Sequence, residues 1–466
     1  MTFDLDKITS LDEAKKIIVE LLRQNSLLLK RIEELEAEVA RLKAMLEPDP
    51  STPSGSIPTY KKANKKKRRS KKPGRKKGHR GERRAIPENI DRYEEHTAKI
   101  CPDCGAPLGK PVEKRKRYIE DIPNIKPEVT EHTINRYFCP RCKKNVEPKV
   151  TCALPRAQFG LRFLLITAWM HFALGMTAGN IIKWLGSVCQ MEVSAGGLTQ
   201  MWATLANRLR PLYDELGQKA RDSAVLCADE TGWRVSGKTW WLWCFTDARL
   251  AYYVIRHSRG SKVVKEILGE LFNGVLQSDF FGAYNEITAW AKQRCIVHLF
   301  RELKKVSLKN ESAEWKAFQK KLKRLFNDAL RLAHKRSDYN TETYKRRTAK
   351  LYIRLDELID GECKDKDVKR LIKRMRRHRN EVLTFVKHPG VSADNNRAER
   401  MIRPAVIARK NSHCNRSERG AETQAILMSV FRTLDLCDEQ PIEYLTAYIK
   451  TQLTSSKTTV NTPLAA

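Results

Sequence analysis

The stretch of residues 223–233 constrains the fold of this chain more than any other part of the sequence. An apolar run at residues 224–228 has the length and composition of a buried strand, and two carboxylates, Asp229 and Glu230, follow it directly. Buried strands that end on an acid present catalytic groups at an edge or switch point of an α/β sheet. We therefore expect residues 224–228 to form a core strand of an α/β domain, with Asp229 at its end.

Further strand and helix patterns follow immediately. Residues 238–246 and 251–256 are rich in aromatic and β-branched side chains, which is typical of strands. Residues 261–272 carry apolar side chains at helical spacing, and residues 275–279 form another apolar run, which ends on Asp279. The sequence thus predicts three strands, a helix and a fourth strand, with acids closing the first and the fourth strand.

The composition limits the size class and the partners of the chain. Its 466 residues are enough for about three domains. The 89 lysine and arginine residues outnumber the 55 acidic residues and give a formal net charge of +34. Such an excess predicts a polyanionic partner, and nucleic acid is favoured over the alternative, an anionic membrane surface.

Two further patterns bear on the compartment. The longest uncharged run, residues 163–182, includes His171 and Asn180 and is predicted to form two buried helices joined near Gly175 instead of a membrane span. The N-terminus is polar and acidic and shows no secretory signal. We therefore expect a cytoplasmic protein with no membrane partner, whose cysteines favour metal binding over disulfides.

A heptad repeat occupies residues 8–47. One core position carries Leu11, Ile18, Asn25, Ile32, Val39 and Leu46, and the other carries Ala14, Leu21, Leu28, Leu35 and Leu42. β-Branched residues at the first position with leucine at the second favour a parallel dimer, and a single asparagine fixes the register. The repeat predicts a dimerising coiled coil, and the alternative is an amphipathic helix packed on its own domain.

Residues 48–88 lose this apolar periodicity. Residues 61–84 hold fifteen basic residues against one acid, Glu82. Such a segment is predicted to be disordered on its own, because it cannot bury enough apolar surface to offset its conformational entropy. The charge density favours an arm that binds phosphates over a solvated linker.

Two paired cysteine turns mark the next unit, at residues 89–152. Cys101 and Cys104 form one CPxC turn, and Cys139 and Cys142 form the other. Two such turns complete a tetrahedral four-cysteine site, and the long gap between them fits a zinc ribbon. The alternatives are unrelated reduced cysteines, or a metal that only holds a small domain together.

Helical patterns dominate two other regions. Residues 153–222 read as helical, and both a helix-turn-helix and a plain packing layer remain open for them. Residues 301–388 combine dense charge with apolar stripes and are predicted to be a helical insertion. Between these regions, Cys295 and His298 offer half of a metal site, although a core strand leading into a helix explains them as well.

A short polar stretch follows the insertion. Asp394 is predicted to be the N-cap of a helix on which Asn395, Asn396, Glu399 and Arg403 share one face. An acid beside two amides and an arginine suits a metal site that faces phosphate, and the alternative is an ordinary charged surface helix. Mg²⁺ binds hard oxygen ligands and keeps several waters, so a few carboxylates suffice to hold it.

Several motifs resemble those of the insertion-sequence-66 family of transposases. The most specific are Ala-Asp-Glu-Thr-Gly-Trp at residues 228–233, Ser-Asp-Phe-Phe-Gly-Ala-Tyr at 278–284 and Asp-Asn-Asn-Arg-Ala-Glu-Arg at 394–400. The likeness extends over almost the whole chain, from the heptad repeat through the basic linker and the CPxC turns to the C-terminal tail. One departure is Ser-His-Cys-Asn at residues 412–415, where the family tends to have aromatic or apolar residues.

The resemblance implies a multidomain α/β protein with a ribonuclease-H-like catalytic core. It implies that Asp229, Asp279 and Glu399 are the DDE triad, which binds Mg²⁺ or Mn²⁺. The core would span residues 223–408, with the helical insertion at about 301–388 and a helical tail at 409–466. The zinc ligands expected of the ribbon are the four cysteines named above.

The resemblance also implies a bacterial enzyme that cleaves DNA at the ends of an insertion sequence and joins the freed 3′ hydroxyl to target DNA. Its partners would be DNA, a second copy or more of the chain through the coiled coil, and small accessory transposition proteins. It would be associated with the nucleoid when bound to DNA. Two alternatives remain open, a catalytically silent DNA-binding regulator and a ribonuclease-H-like nuclease that cleaves without joining.

Overall fold

The computed structural model describes residues 85–141 and 143–454, a helical segment at residues 21–29 and 31–36, and the single residues 10, 12 and 18. Most of the heptad repeat, the basic segment up to residue 84, Cys142 and residues 455–466 lie outside the described residues. The fold is mixed α/β, with one central sheet and many helices. Within the described ranges, no helix is both long enough and apolar enough to cross a membrane.

The strands form a small hairpin and a five-stranded sheet. The hairpin pairs β1 (Tyr137–Cys139) with β2 (Lys144–Val146). The sheet contains β3 (Val225–Val235), β4 (Lys238–Thr246), β5 (Ala251–Arg256), β6 (Leu271–Ser278) and β7 (Thr288–Arg294). Its order is β5-β4-β3-β6-β7, with β3, β4 and β5 antiparallel and β3, β6 and β7 parallel.

Helices cover the sheet and fill the segment between β7 and the last third of the chain. They are α1 (Leu161–Phe172), α2 (Ala178–Cys189), α3 (Ala195–Asp222), α4 (Ser261–Leu268), α5 (Ile296–Val306), α6 (Ala313–His334), α7 (Thr341–Asp360), α8 (Lys366–Arg377), α9 (Thr384–Lys387), α10 (Asn396–Ser412), α11 (Glu418–Leu436) and α12 (Pro441–Thr454). The predicted pair of helices around Gly175, which has φ of 73°, is confirmed as α1 and α2.

The prediction that Asp229 ends its strand is wrong. Strand β3 continues to Val235, because β4 pairs with it along this whole length through a tight turn at Ser236 and Gly237, both with positive φ. The parallel pairing with β6 covers only Val225 to Cys227. Asp229 therefore lies inside a strand, just beyond the point where β3 and β6 part.

The predicted helix at 261–272 is also shorter than expected. It ends at Leu268, because Gly269 adopts φ of 81° and donates its N–H to the carbonyl of Lys265. Residues 271 and 272 belong to β6 instead. Strand β6 lies so close to the chain before β3 that a side chain at Gly274 would overlap the carbonyl oxygen of Ser223.

Three clusters of buried side chains hold these elements together. The largest joins one face of the sheet to α1–α4, α11 and α12, and a second unites α5–α9. The third lies between α10, α11 and the opposite face of β3, β4 and β5. Most of the buried face of α3 lies in the largest cluster.

Helix α11 is part of the core and does not stand apart as a tail. It covers the outer edge of β5, where the N–H of Tyr253 donates to Ser429 Oγ at 2.8 Å and that of Ala251 donates to Thr433 Oγ1 at 3.1 Å. Hydroxyl groups thereby satisfy an edge strand that would otherwise expose unpaired backbone donors.

Candidate active site

Asp229 lies where acidic side chains from three parts of the fold converge. Burial and the neighbouring carboxylates of Glu230, Asp279 and Glu399 raise the pKa of the Asp229 side chain well above its usual value. Its carboxylate accepts a hydrogen bond from the N–H of Glu230 at 3.0 Å. Among the described residues, neither Asp229 nor Asp279 has a basic side chain as an ion-pair partner. Within the described ranges, ion pairs thus compensate Glu230 and Glu399 but not Asp229 and Asp279.

Asp279 follows the last residue of β6, as the sequence predicts. Its side chain accepts the N–H of Phe281 at 2.8 Å, which shapes the turn after the strand. Because β6 is the parallel neighbour of β3, this turn lies beside the point where β3 departs. Strand β3, which carries Asp229, and strand β6, which Asp279 follows, are thus direct neighbours in the sheet.

Glu399 comes from the first turn of α10. This helix packs against the face of β3 that carries Trp233 and Val235, and side chains alternate along a strand, so Asp229 shares that face. The guanidinium of Arg301 lies 3.4 Å from both oxygens of Glu399, and His298 Nδ1 lies 3.7 Å from Glu399 Oε1.

The start of α10 is fixed by contacts that local sequence patterns did not predict. Asn395 occupies the N-cap position that was predicted for Asp394, and its buried side chain donates to the carbonyl of Ala228 at 2.8 Å. Asp394 still helps to cap, since its carboxylate accepts the N–H of Asn396 at 3.1 Å. Gln277 donates to the carbonyls of Ser392 and Asp394, both at 2.9 Å. These bonds set the position of Glu399 relative to Asp229 and Asp279.

Glu230 points away from Asp229 into the largest core cluster. Its carboxylate accepts the hydroxyl of Tyr284 at 2.7 Å and the guanidinium of Arg259 at 2.8 Å. The same guanidinium stacks over Trp241 and Phe281. Burial and Asp279 raise the pKa of the Glu230 side chain, while the two hydrogen bonds act in the opposite direction. Glu230 is a satisfied structural acid.

Arg294, at the end of β7, is a second position that the sequence did not single out. The side chain is fully buried and donates to Glu381 Oε2 at 2.6 Å, Asn285 Oδ1 at 2.8 Å, Ser278 Oγ at 3.1 Å and the carbonyl of Asp279 at 2.9 Å. It thereby clamps the turn that carries Asp279. Only the tertiary contacts distinguish it from the other arginines of this basic chain.

Close metal-ligand geometry occurs at one place in the described ranges. The ligand atoms of Cys295, His298 and Glu399 all lie within 4.8 Å of one another. Asp279 and Glu399 lie near enough to Asp229 to raise its pKa, yet the ligand atoms of these three acids do not form a group of this kind. Cys295 and His298 lie where β7 ends and α5 begins, in agreement with the prediction of a core strand that leads into a helix.

The first cysteine pair lies in a tight turn closed by backbone hydrogen bonds. The N–H of Gly105, whose φ is 72°, donates to the carbonyl of Cys101 at 2.9 Å, and the N–H of Cys101 donates to Ala106. Backbone N–H groups of Cys104 and Asp103 lower the pKa of the Cys101 thiol. Cys139 ends β1 in the hairpin, and Cys142 lies outside the described residues. The three described cysteines of this set do not form a group within 4.8 Å.

Two proteins of Sinorhizobium fredii are similar to this chain over long stretches. Uncharacterized protein y4jD is 24% identical over 415 residues, which cover 81% of this chain and 79% of that protein. Uncharacterized protein y4qI is 25% identical over 285 residues, which cover 55% of this chain and 52% of that protein.

Two family models match the chain in separate regions. The model described as zinc-finger binding domain of transposase IS66 matches residues 98–143, the region of the cysteine turns. The model described as Transposase IS66 family matches residues 156–423, which is more than half of the chain and includes Asp229, Asp279 and Glu399. The chain therefore belongs to the IS66 family of transposases.

Proposed function

We propose that this protein is a DDE transposase that cuts DNA at the ends of an insertion sequence and joins the freed ends to target DNA. The observation that carries the proposal is the convergence of Asp279 and Glu399 on Asp229, where they raise its pKa together with burial and Glu230. Buried like charges that oppose one another are costly unless a function or a cation requires them. Asp229, Asp279 and Glu399 are the proposed catalytic triad.

The strand order supports a ribonuclease-H-like core for residues 223–408. Three antiparallel strands, β3 to β5, continue into two parallel ones on the other side of β3. The first acid lies inside β3, and the second follows β6. The helices α5 to α9, which follow β7 and precede α10, form their own apolar cluster, as expected of an insertion at about residues 301–388.

The residues at the site fit a hard divalent cation. The donors are carboxylate oxygens, which Mg²⁺ and Mn²⁺ prefer. The Oδ1 atom of Asn395 is buried and has no hydrogen-bond partner among the residues that the structure describes, while the Nδ2 group of the same side chain donates to the carbonyl of Ala228. Asp229 and Asp279, which have no ion-pair partner among the described residues, suit a cation together with this carbonyl oxygen. When bound, the ions would activate the attacking oxygen and neutralise charge on the scissile phosphate.

The residues of this chain have distinct tasks in the proposed reaction. Asp229 and Asp279 would hold the ions from the sheet, and Glu399 would do so from α10 once its carboxylate no longer pairs with Arg301. Asn395 and Gln277 fix the start of α10 against β3 and β6. In the first step water breaks a phosphodiester bond and leaves a 3′ hydroxyl, and in the second this hydroxyl displaces a 3′ oxygen of target DNA. Neither step needs a covalent bond to the protein.

A strand-transfer assay tests the proposal. The full-length protein is incubated with Mg²⁺, target DNA and a labelled duplex that carries the terminal inverted repeats flanking its gene. We expect cleaved ends and joined products. Cleaved ends without joined products would favour a ribonuclease-H-like nuclease, and binding without cleavage would favour a silent regulator.

Zinc is proposed to bind Cys101, Cys104, Cys139 and Cys142 in a ribbon at residues 89–152. Replacing Cys104 by serine is expected to remove one zinc ion per chain, because serine is a poor ligand for this metal. Elemental analysis of the purified protein measures the content. Cys152→Ser is the matched control, since Cys152 lies near His132 but outside both pairs. Equal zinc content in Cys104→Ser and wild type would contradict the assignment.

The N-terminal helix is proposed to form a parallel dimer or a higher oligomer through residues 8–47. In a single chain, Leu21, Leu28, Ile32 and Leu35 expose about half of their surface, from 46% to 62%, so no described residue covers their seam. Replacing Asn25 by leucine is expected to raise the melting temperature of a peptide of residues 1–47 and to broaden its oligomer distribution, because a buried amide costs stability and fixes the register.

Analytical ultracentrifugation and thermal melts measure both effects. Ser26→Leu is the control, because it adds the same side chain beside the seam. A peptide that stays monomeric at high micromolar concentration would rule out the coiled coil.

The remaining parts of the chain are proposed to serve DNA binding and assembly. The basic arm within residues 48–88 would contact phosphates without reading bases, since lysine and arginine on an extended segment offer charge without a folded surface. Residues 153–222 would connect the ribbon to the catalytic core, and residues 409–466 would complete that core. DNA at the transposon ends and at the target are the proposed partners, and small accessory proteins are proposed to assist.

A further inference from the structure

Glu399 also meets Cys295 and His298, two residues to which the proposed chemistry gives no role. Cys295 is the N-cap of α5, His298 lies in the first turn of that helix, and Glu399 lies in the first turn of α10. One ligand atom from each lies within 4.8 Å of the other two. The three residues bring a thiol, an imidazole and a carboxylate to one point from two helix starts.

The cluster is partly enclosed and held by the backbone. Cys295 is 1% exposed, and the side chains of His298 and Glu399 are 18% and 21% exposed. The N–H of Ile296 donates to the carbonyl of Ala393 at 2.9 Å, and the N–H of Asn395 donates to Cys295 Sγ at 3.3 Å. These bonds fix the two helix starts relative to each other. The backbone thereby brings the three metal-ligand atoms together.

One ring nitrogen of His298 lacks a partner. His298 Nδ1 is buried and accepts or donates no hydrogen bond within the described part of the chain, since Glu399 Oε1 lies 3.7 Å away, beyond hydrogen-bond distance. A histidine with a purely structural role in this position would satisfy that nitrogen, because leaving a buried polar atom unpaired destabilises the fold. The unpaired nitrogen faces the carboxylate of Glu399, and a cation between the two would contact both groups.

We propose that Cys295, His298 and Glu399 bind a thiophilic divalent ion of the Zn²⁺ class, and that this ion regulates the active site by occupying Glu399. Sulfur and imidazole ligands select zinc over magnesium, and three protein ligands leave the fourth position of zinc open. On binding, the Cys295 thiol loses its proton to solvent and becomes the thiolate ligand. The regulatory part rests on the proposed function, because it requires a catalytic role for Glu399.

Arg301 is the competitor of such an ion. Its guanidinium lies 3.4 Å from both Glu399 oxygens, but its side chain is 43% exposed and can turn into solvent. Exposed ion pairs of this kind contribute little stability. Replacing Arg301 by glutamine therefore removes a competing cation and is expected to tighten ion binding at the cluster, whereas loss of a ligand weakens it.

Cobalt titration of the full-length protein tests the site without any activity measurement. Co²⁺ replaces Zn²⁺ in such sites, and its bond to a thiolate gives a near-ultraviolet absorption band. We expect the cluster to contribute such a band. The band should disappear in Cys295→Ser, and the affinity of the cluster for Co²⁺ should fall at least about tenfold in His298→Gln. Cys363→Ser is the control, because that cysteine lies in another part of the fold. The zinc finger contributes equally in every variant.

His298→Gln keeps the test decisive if Cys295→Ser fails to fold, because the His298 ring is partly exposed and its Nδ1 bonds nothing. Identical cobalt spectra and zinc contents in wild type, His298→Gln and Arg301→Gln would overturn the proposal. Inhibition of strand transfer by Zn²⁺, relative to the zinc-free activity of each variant, should need more zinc in His298→Gln. A wild-type chain that binds cobalt at Cys295 but never joins DNA would overturn the proposed function and keep the metal site.

Discussion

Replacing Asp229 by asparagine is expected to abolish DNA cleavage and strand transfer and to leave DNA binding intact. Burial and the neighbouring carboxylates raise the pKa of Asp229, and asparagine cannot supply its charge to a cation. We expect a rate at least about a hundredfold lower, since one preorganised electrostatic group supplies roughly that much. The strand-transfer assay measures the chemistry, and a gel-shift or anisotropy titration measures the binding.

The same substitution should stabilise the protein in the absence of divalent metal. The raised pKa of Asp229 means that its charged form opposes folding, so the carboxylate costs stability once the pH exceeds its unfolded pKa, and a neutral amide removes this cost. The thermal unfolding temperature of Asp229→Asn should therefore exceed that of wild type at neutral pH. If Asp229→Asn is inactive but more stable than wild type, its loss of activity is due to the missing catalytic group and not to a damaged fold.

Glu230 provides the matched control for Asp229. It is the next residue of the same strand, but it faces the core and accepts hydrogen bonds from Tyr284 and Arg259. Glu230→Gln keeps an acceptor for Tyr284 and should retain far more activity than Asp229→Asn. Asp279→Asn and Glu399→Gln should be as inactive as Asp229→Asn, and double variants should lose little more, because the triad acts as one unit. Normal strand transfer by Asp229→Asn would refute the proposed triad.

Replacing Arg294 by methionine is expected to destabilise the protein by about 3–5 kcal/mol, the usual cost of removing one partner from a buried ion pair. The change leaves Glu381 without its guanidinium and frees the turn that carries Asp279. We therefore expect a lower unfolding temperature and weaker strand transfer, both measured on the full-length chain. Arg256→Met is the control, because the Arg256–Glu266 pair is exposed and should contribute less than about 1 kcal/mol.

The pH dependence identifies the origin of the loss. Burial opposes ionisation of Glu381, but hydrogen bonds and charge from His378 and Arg294 outweigh it and lower its pKa to about 2 from 4.5. A lowered folded pKa stabilises above the unfolded value, so wild type should lose stability as the pH falls from about 4.5 towards 2. This slope should be smaller in Arg294→Met. If Glu381→Gln restores no stability to Arg294→Met, an unpaired charge is not the cause.

The sequence alone determines the features that depend on neighbouring residues. Apolar runs predict β3, β6 and their acids, because strand formation requires a contiguous segment that can be buried. Helical spacing predicts the helices after β7, and the CPxC turns predict a zinc finger in the region that the zinc-finger family model matches. The basic excess predicts a nucleic-acid partner, in agreement with the transposase family.

The tertiary structure decides where those features meet. The length of β3 depends on its pairing with β4. Backbone hydrogen bonds between strands do not require apolar side chains. Asp229 therefore lies inside the strand although the apolar run ends before it. Glu230 resembles Asp229 in the sequence, and only the positions of Tyr284 and Arg259 show that it is a core residue. Cys295 and Glu399 lie about a hundred positions apart and meet because the start of α10 is bonded to the start of α5. Such contacts form between segments whose local patterns are independent of each other, so they are fixed by the free energy of packing the whole chain.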